Sequence, residues 1–197
     1  MRFILFFLLA STLFYSATRA QAPASVPVFK IAPEESSIHF SVKASAPVDG
    51  TFDKWNATLT FTSPDVTSGV LDIRIQAASV NTGNGIKNRK LKGKDFFNAK
   101  RDALITFRST RVIQTGPDSF EVSGDFKLRG VTKVQTLALT ITGKGTGSGR
   151  IIGTMAFDRK DYGMTKGIPF VKIADRVEVS VNLKATQVSG PRLVYKQ

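Results

Sequence analysis

The chain has 197 residues, of which 42% are hydrophobic, and its formal net charge at pH 7 is +13. It contains no cysteine and a single histidine, His39. Disulfides and metal sites built from clustered cysteine and histidine are therefore excluded, and no Ser–His–Asp triad is expected because His39 falls on the polar face of its strand. The positive charge favours anionic partners, such as phosphate head groups, lipopolysaccharide or an acidic protein.

Residues 1–20, MRFILFFLLASTLFYSATRA, have the pattern of a secretory signal peptide. Arg2 precedes an apolar run that is shorter than the roughly 20 residues of a membrane span, and small residues end the stretch at Ala20. We therefore expect cleavage near Ala20, a periplasmic protein, and no nucleic-acid partner. Residues 21–27, QAPASVP, are expected to form a linker.

From residue 28 the dominant pattern is an alternation of apolar and polar residues, which is typical of half-buried β-strands. Turn residues separate the alternating segments, and we interpret the glycine-rich run of residues 143–149 as a flexible hairpin connection. Because the strands have one dry face and no helices to cover it, the sequence predicts an all-β fold, an eight-stranded antiparallel lipocalin-like barrel. The eight segments are SIHFSVKA, NATLTF, VLDIRIQA, LITFRST, SFEVSGDFKLRG, QTLALTIT, RIIGTMAF and RVEVSVNLKA.

Residues 81–98, NTGNGIKNRKLKGKDFFN, interrupt the alternation. We expect them to form a short helix or loop that covers one end of the barrel, with Gly93 as the stop. This part of the chain is also the most basic, since residues 87–111 carry nine basic and two acidic side chains. The domain is predicted to span residues 28–187, followed by a C-terminal tail at residues 188–197.

The side chains that the alternation turns inward are rich in phenylalanine. In a barrel of this size, such side chains either pack the lumen or leave room for one small ligand, and the composition alone leaves both alternatives open. The residues predicted to line an apolar tunnel are Phe40, Val42, Phe52, Trp55, Leu59, Phe61, Ile73, Phe96, Phe97, Ile105, Phe107, Phe126, Leu128, Phe157 and Tyr162.

Seven motifs resemble the YceI-like, lipocalin-like family of periplasmic polyisoprenoid-binding proteins. They are SSIHFSVKA, APVDGTFDKWNATLTF, AASVNTGN followed by LKGKDFFNA, ITFRST, GDFKLRGVTKVQTL, FDRKDYGM and IADRVEVSVNLKA, in family order over residues 28–186. The resemblance implies an extended antiparallel barrel whose apolar tunnel takes an isoprenoid chain, with no catalysis and no cofactor. The chain has Asn88 and Lys90 where many members have an acidic residue and a histidine, and Ala103 where they often have proline, which makes this region more basic.

We therefore expect a non-enzymatic protein, a monomer or homodimer, that carries or sequesters a long-chain isoprenoid such as a polyprenyl phosphate or a quinone. Phe96 and Phe97 would fill the apolar mouth, and Lys90, Lys92 and Lys94 would contact an anionic head group or an anionic membrane. In one alternative, these phenylalanines cap a packed core, and the chain is a basic periplasmic adaptor that binds anionic membrane or envelope surfaces without an internal ligand. An envelope hydrolase is disfavoured because no catalytic motif is present.

Overall fold

A computed structural model of the protein describes residues 26–45, 47–167 and 171–196. The predicted signal peptide, residues 1–20, and most of the predicted linker lie outside the described residues. The described elements are β1 (Val28–Ala44), β2 (Val48–Phe52), β3 (Trp55–Thr60), β4 (Val70–Gln76), β5 (Val80–Asn81), α1 (Gly85–Lys92), β6 (Leu104–Gln114), β7 (Ser119–Leu128), β8 (Val131–Thr142), β9 (Ser148–Asp158) and β10 (Ile173–Ser189).

The ten described strands form one antiparallel sheet in the order β3-β4-β6-β7-β8-β9-β10-β1-β2-β5. The sheet curls until β1 also packs against β3, so that the inward faces of the strands surround a common interior. The ladder of backbone pairing stays open among the described strands, because β3 and β5 are its two edges. The architecture is therefore a curled antiparallel half-barrel.

The prediction of an all-β fold with one short helix is confirmed, but the sheet has ten strands where eight were predicted. β2 is a separate strand because the chain folds back on β1, which places Val48 opposite Val42. β5 pairs with the end of β2, with Val80 opposite Phe52. A strand of two residues is too short to show an alternation, so the pattern in the sequence could not reveal β5.

Most residues on the predicted inward faces are buried, as β7 shows, while Val42, Leu59, Ile141 and Val179 are partly buried. Phe120, Val122, Phe126 and Leu128 are each at most 6% exposed, and the polar residues next to them in sequence point outward or are half-buried. Full burial of an apolar side chain of this size contributes about 1.5–3 kcal/mol. The hydrophobic effect therefore fixes which face of each strand points inward, since a shift of one residue would expose the whole set.

β6 contains a bulge opposite Gly124, the remaining inward position of β7. The pairing register shifts between Ser109 and Arg111, and Ser109 is buried. Its hydroxyl oxygen accepts a hydrogen bond of 2.9 Å from the N–H of Leu71, which satisfies a buried polar group. The bulged backbone comes so close that a Cβ at Gly124 would lie 2.3 Å from the carbonyl oxygen of Arg108.

A Gly124→Ala variant should therefore lower the free energy of unfolding by about 1–3 kcal/mol, because the added methyl group overlaps backbone atoms. Urea denaturation measures this loss. Gly85→Ala is the matched control, because no heavy atom lies within 4 Å of the Cβ that it would add. It should change the free energy of unfolding by no more than about 0.5 kcal/mol. Equal effects of the two substitutions would contradict the close approach at the bulge.

The helix α1 and the turn after it cover one end of the half-barrel. The Asn84 side chain caps the helix, because its oxygen accepts hydrogen bonds of 2.9 and 3.1 Å from two backbone N–H groups of the first turn. The helix ends before Gly93, as predicted. Phe96 and Phe97 then turn inward and are buried. The Arg129 guanidinium, in the turn between β7 and β8, donates to the Phe96 carbonyl oxygen at 2.7 Å and fixes this segment.

Candidate functional site

A cavity of about 480 Å³ lies at the end of the half-barrel where β8 turns into β9, and we call it the loop-end cavity. Its volume is within the roughly 300–1,000 Å³ of small-molecule sites. Most of its wall is hydrocarbon, so it suits a ligand that is itself apolar. The apolar wall residues are Phe29, Leu59, Phe61, Val66, Leu71, Val112, Phe120, Val122, Leu139, Ile141, Ile151, Ala185, Leu193 and Tyr195.

The glycine-rich hairpin between β8 and β9 forms one side of the rim of this cavity. Gly143, Gly145 and Gly147 have φ angles of 73°, 77° and 79°, in the left-handed region that favours glycine. All three are exposed, so the cavity reaches the protein surface here. The prediction of a hairpin connection is confirmed, while its part in a cavity wall was not expected.

The C-terminal residues 191–196 form another side of the rim. The backbone of this segment donates a hydrogen bond of 2.9 Å to the Pro64 carbonyl oxygen. The side-chain amide of Gln114 donates a hydrogen bond of 2.9 Å to a backbone carbonyl oxygen of the segment and accepts one of 2.8 Å from a backbone N–H of the segment. These bonds hold Leu193 and Tyr195 against the cavity. The segment that was expected to be a tail beyond the domain thus supplies part of the wall.

Lys144 joins three segments of the rim. Its Nζ lies 2.6 Å from a carboxylate oxygen of Asp118, in the turn between β6 and β7, and 4.8 Å from the ring centroid of Tyr195. Burial, and to a lesser extent the negative charge of Asp118, raise the pKa of the Tyr195 phenol, which therefore stays neutral at neutral pH. One lysine of the hairpin thus contacts both the neighbouring turn and the C-terminal residues.

Two arginines, Arg150 and Arg192, also line the loop-end cavity. The Arg150 guanidinium donates to neutral acceptors, the Asn182 side-chain oxygen at 2.9 Å and the Glu35 carbonyl oxygen at 3.1 Å. Within the described residues, neither arginine forms a salt bridge. The apolar cavity is therefore bordered by two positive charges that have no acidic partner among the residues the structure describes.

A smaller cavity of about 90 Å³ lies at the opposite end, beneath α1, and we call it the helix-end cavity. The rings of Phe40, Phe52 and Phe97 pack against one another in its wall, with centroids 5.5–6.0 Å apart. Arg159 also lines it, but its charge is already paired with Asp175 at 3.1 Å and it donates to backbone carbonyls. Aromatic and aliphatic side chains together thus form most of the wall of this smaller cavity.

The sequence led us to expect one tunnel, but the described residues line two separate cavities. The residues predicted to line the tunnel fall into three groups according to the cavity that they line. Two of them, Leu59 and Phe61, line the loop-end cavity. Those that line neither cavity are Trp55, Ile73, Phe107 and Tyr162. Those that line the helix-end cavity are Phe40, Val42, Phe52, Phe96, Phe97, Ile105, Phe126, Leu128 and Phe157. Their roles in binding stay predictions.

The three lysines predicted to contact a head group, Lys90, Lys92 and Lys94, lie outside both cavity walls. Lys90 and Lys94 are exposed and Lys92 is partly buried. The Lys90 Nζ lies 3.5 Å from a carboxylate oxygen of Asp95 and 5.8 Å from the ring centroid of Phe96. The lysines therefore form a basic surface above buried phenylalanines, and their contact with a head group stays a prediction.

Sequence reasoning missed Arg150 and the C-terminal wall residues Arg192, Leu193 and Tyr195. One signal was present, because Leu193 and Tyr195 are two residues apart, the spacing of side chains on one face of an extended chain. The segment is too short for this spacing to stand out as an alternation. Arg150 begins an alternating segment and was interpreted only as a strand residue.

The part of the chain that the structure describes contains no group of three or more histidine, cysteine, aspartate or glutamate side chains placed to hold a metal ion. His39 is half-buried on β1 and lines neither cavity. None of the described helices has the length and apolar character that crossing a membrane requires. What the described residues offer is an apolar cavity with a basic rim.

The amino-acid sequence is similar to a known protein family and to several curated proteins. A family model for the YceI-like domain matches residues 29–185. Protein YceI of Escherichia coli is 33% identical over 96 residues, which are 49% of this chain and 50% of that protein. The chain spans half to about two thirds of the length of the first curated relatives that it matches.

Two solved structures have a similar fold. BcnA of Burkholderia cenocepacia has a TM-score of 0.72 at 25% identity and covers 80% of this chain and 100% of its own. A polyisoprenoid binding domain from Saccharophagus degradans, implicated in plant cell wall breakdown, has a TM-score of 0.66 and covers 82% of this chain and 99% of its own. At 18% identity, the second similarity shows the fold alone.

Proposed function

Because the chain belongs to the YceI-like domain family, we propose that it binds the apolar chain of an isoprenoid lipid inside the half-barrel, and that it carries or sequesters this lipid without a reaction on it. The observation that carries the proposal is the loop-end cavity, with its volume of about 480 Å³ and its apolar wall. The similar fold of the polyisoprenoid binding domain from Saccharophagus degradans supports it.

An isoprenoid chain suits the loop-end cavity because it makes hydrocarbon contacts alone. Transfer of apolar surface from water contributes about 25 cal/mol per Å², so a chain that fills the cavity needs no polar partner inside it. Phe29 and Phe61 pack with ring centroids 5.6 Å apart, and Phe120 and Tyr195 with centroids 6.3 Å apart. Such rings present large rigid faces to the methyl branches of the chain.

We assign an anionic head group to the rim of the loop-end cavity. Arg150 and Arg192 border the cavity without salt-bridge partners in the described residues, and a guanidinium can bind a phosphate through two parallel hydrogen bonds. Lys90, Lys92 and Lys94, by contrast, line neither cavity, and Lys90 already pairs with Asp95. The loop end therefore favours a polyprenyl phosphate or diphosphate over a neutral quinone.

The proposal includes export to the periplasm, for which the support is the signal-peptide pattern of residues 1–20. A carrier in that compartment would exchange its lipid with a membrane. A basic rim favours contact with anionic lipids, since each exposed lysine or arginine contributes about 1 kcal/mol near such a surface. The protein can act in this way as a monomer or as a homodimer.

The test is to purify the protein from cells, extract it with organic solvent, and identify the extract by mass spectrometry. We expect one isoprenoid per chain, enriched over phospholipid relative to an extract of the whole membrane from the same cells. The membrane extract is the control for contamination. An extract with the composition of the bulk membrane, or an empty extract from several hosts, would show that the interior holds no specific lipid.

The basic surface at the helix end supports a second candidate function, docking to an anionic membrane or envelope surface. Residues 87–111 carry nine basic and two acidic side chains, and Lys90 and Lys94 are exposed there. Attraction to an anionic surface needs no cavity, so this function does not depend on a bound lipid. On this candidate, the lysines contact the membrane and not the head group of a carried lipid.

A further inference from the structure

We propose that six buried side chains form a septum between the two cavities, and that this septum limits the length of the chain that the protein can enclose. The inference rests on the proposed binding of isoprenoid chains. Each of the six is at most 9% exposed, and none lines either cavity. They are Ile73 on β4, Phe107 on β6, Leu137 on β8, Met155 on β9, and Val181 and Leu183 on β10.

The position of the septum follows from the order of inward residues along each strand. On β4, Leu71 lines the loop-end cavity, Ile75 lines the helix-end cavity, and Ile73 between them lines neither. On β6, Val112 lines the loop-end cavity, Ile105 lines the helix-end cavity, and Phe107 between them lines neither. On β9 the same three places are taken by Ile151, Phe157 and Met155. On β10, Ala185 lines the loop-end cavity, Val179 lines the helix-end cavity, and Leu183 and Val181 lie between them. The middle residues therefore belong to one layer across the interior.

Packing is tight where this layer meets β9 at Gly153, an inward position of that strand. A Cβ at Gly153 would lie 2.3 Å from Cδ2 of Leu139, 3.0 Å from Cγ2 of Val181 and 3.1 Å from Cδ2 of Leu137. Side chains of two other strands thus occupy the space that a single methyl group would need. A hydrocarbon chain can pass this layer only if side chains move.

The septum predicts selectivity for chain length. A chain that enters from the loop end gains contacts until it reaches the septum. Further isoprene units then stay in water or must displace packed side chains, which costs free energy in a dense core. Affinity should therefore rise with chain length for short chains and stop rising once the loop-end cavity of about 480 Å³ is full.

The experiment measures affinities for prenyl diphosphates of three, four and nine isoprene units in competition with a fluorescent prenyl analogue. In the wild-type protein, the nine-unit chain should bind no more tightly than the four-unit chain. Phe107→Ala should join the two cavities and raise the ratio of nine-unit to three-unit affinity by at least about tenfold. Met155→Ala is a second variant in the same layer, used if Phe107→Ala fails to fold by circular dichroism. It should change the ratio in the same direction.

Val80→Ala is the control, because Val80 is buried in β5 and lines neither cavity. It should leave the length profile of the wild-type protein unchanged. A wild-type protein that binds no prenyl probe would overturn the proposed function and the septum with it. Two results would overturn the septum while the function stands. One is a wild-type affinity that increases steadily up to nine isoprene units. The other is a ratio of nine-unit to three-unit affinity that is the same in the wild type, in Phe107→Ala and in Met155→Ala.

Discussion

A Val122→Trp variant should bind isoprenoid chains at least about tenfold more weakly than the wild-type protein, a loss of 1.4 kcal/mol or more, and should still fold. Val122 is 3% exposed on β7 and lines the loop-end cavity, so the indole ring would enter the space that the chain needs. Because that space is open, the free energy of unfolding should fall by less than the roughly 1–3 kcal/mol of overpacking in a filled core. Prenyl diphosphate titration and urea denaturation measure the two effects.

The matched control for this variant is Val181→Trp, which makes the same exchange in the septum. Val181 is 4% exposed and lines neither cavity, so the ring has no space to enter. Val181→Trp should lower the free energy of unfolding by about 1–3 kcal/mol or more. Equal destabilisation by the two substitutions would mean that the loop-end cavity is filled in solution. Undiminished binding by Val122→Trp would mean that the chain lies elsewhere.

Removal of the two rim arginines should weaken the binding of a prenyl diphosphate and spare a neutral ligand. Hydrogen bonds to charged groups contribute about 1.5–3 kcal/mol, and exposed charge pairs about 0.2–1 kcal/mol. An Arg150→Gln, Arg192→Gln double variant should therefore lose about ten- to a hundredfold in diphosphate affinity, at 1.4 kcal/mol per factor of ten. A quinone of equal chain length should lose much less. Higher salt should reduce the difference for the exposed part of the site.

A Lys90→Ser, Lys92→Ser, Lys94→Ser variant tests the other end of the molecule in the same assay. If the head group lies at the loop end, this variant should keep its diphosphate affinity and lose affinity for vesicles that contain anionic lipid. If instead the lysine variant loses diphosphate affinity and the arginine variant keeps it, the head group lies beside α1. Equal losses for diphosphate and quinone would show that a substitution acts through folding.

The strand faces could be predicted from the sequence because burial on one side imposes a period of two residues. The alternation on β7 gave the inward positions of Phe120, Val122, Phe126 and Leu128 with no knowledge of neighbouring strands. The helix could be located as well, since Gly93 and the loss of alternation mark its region. These features depend on local sequence alone, and a periodic pattern of apolar and polar residues is a property of local sequence.

The division of the interior could not be predicted, because alternation says which side chains point inward and not which of them meet. Phe107 and Phe126 are directly opposite each other in the sheet, yet the first lies in the septum and the second in a cavity wall. The bulge at Ser109 and the return of Tyr195 to the rim depend on contacts between residues distant in the sequence. Such contacts leave no periodic trace.

The most direct test of the central claim, that the loop-end cavity holds the isoprenoid chain, is photo-crosslinking with prenyl diphosphates that carry diazirines at several positions along the chain. After irradiation, proteolysis and mass spectrometry identify the labelled peptides. We expect the label on peptides that contain the loop-end wall residues Phe29, Phe61 and Tyr195, and competition by unlabelled prenyl diphosphate. Label on the peptide that contains Phe96 and Phe97, or label that unlabelled ligand fails to displace, would contradict the claim.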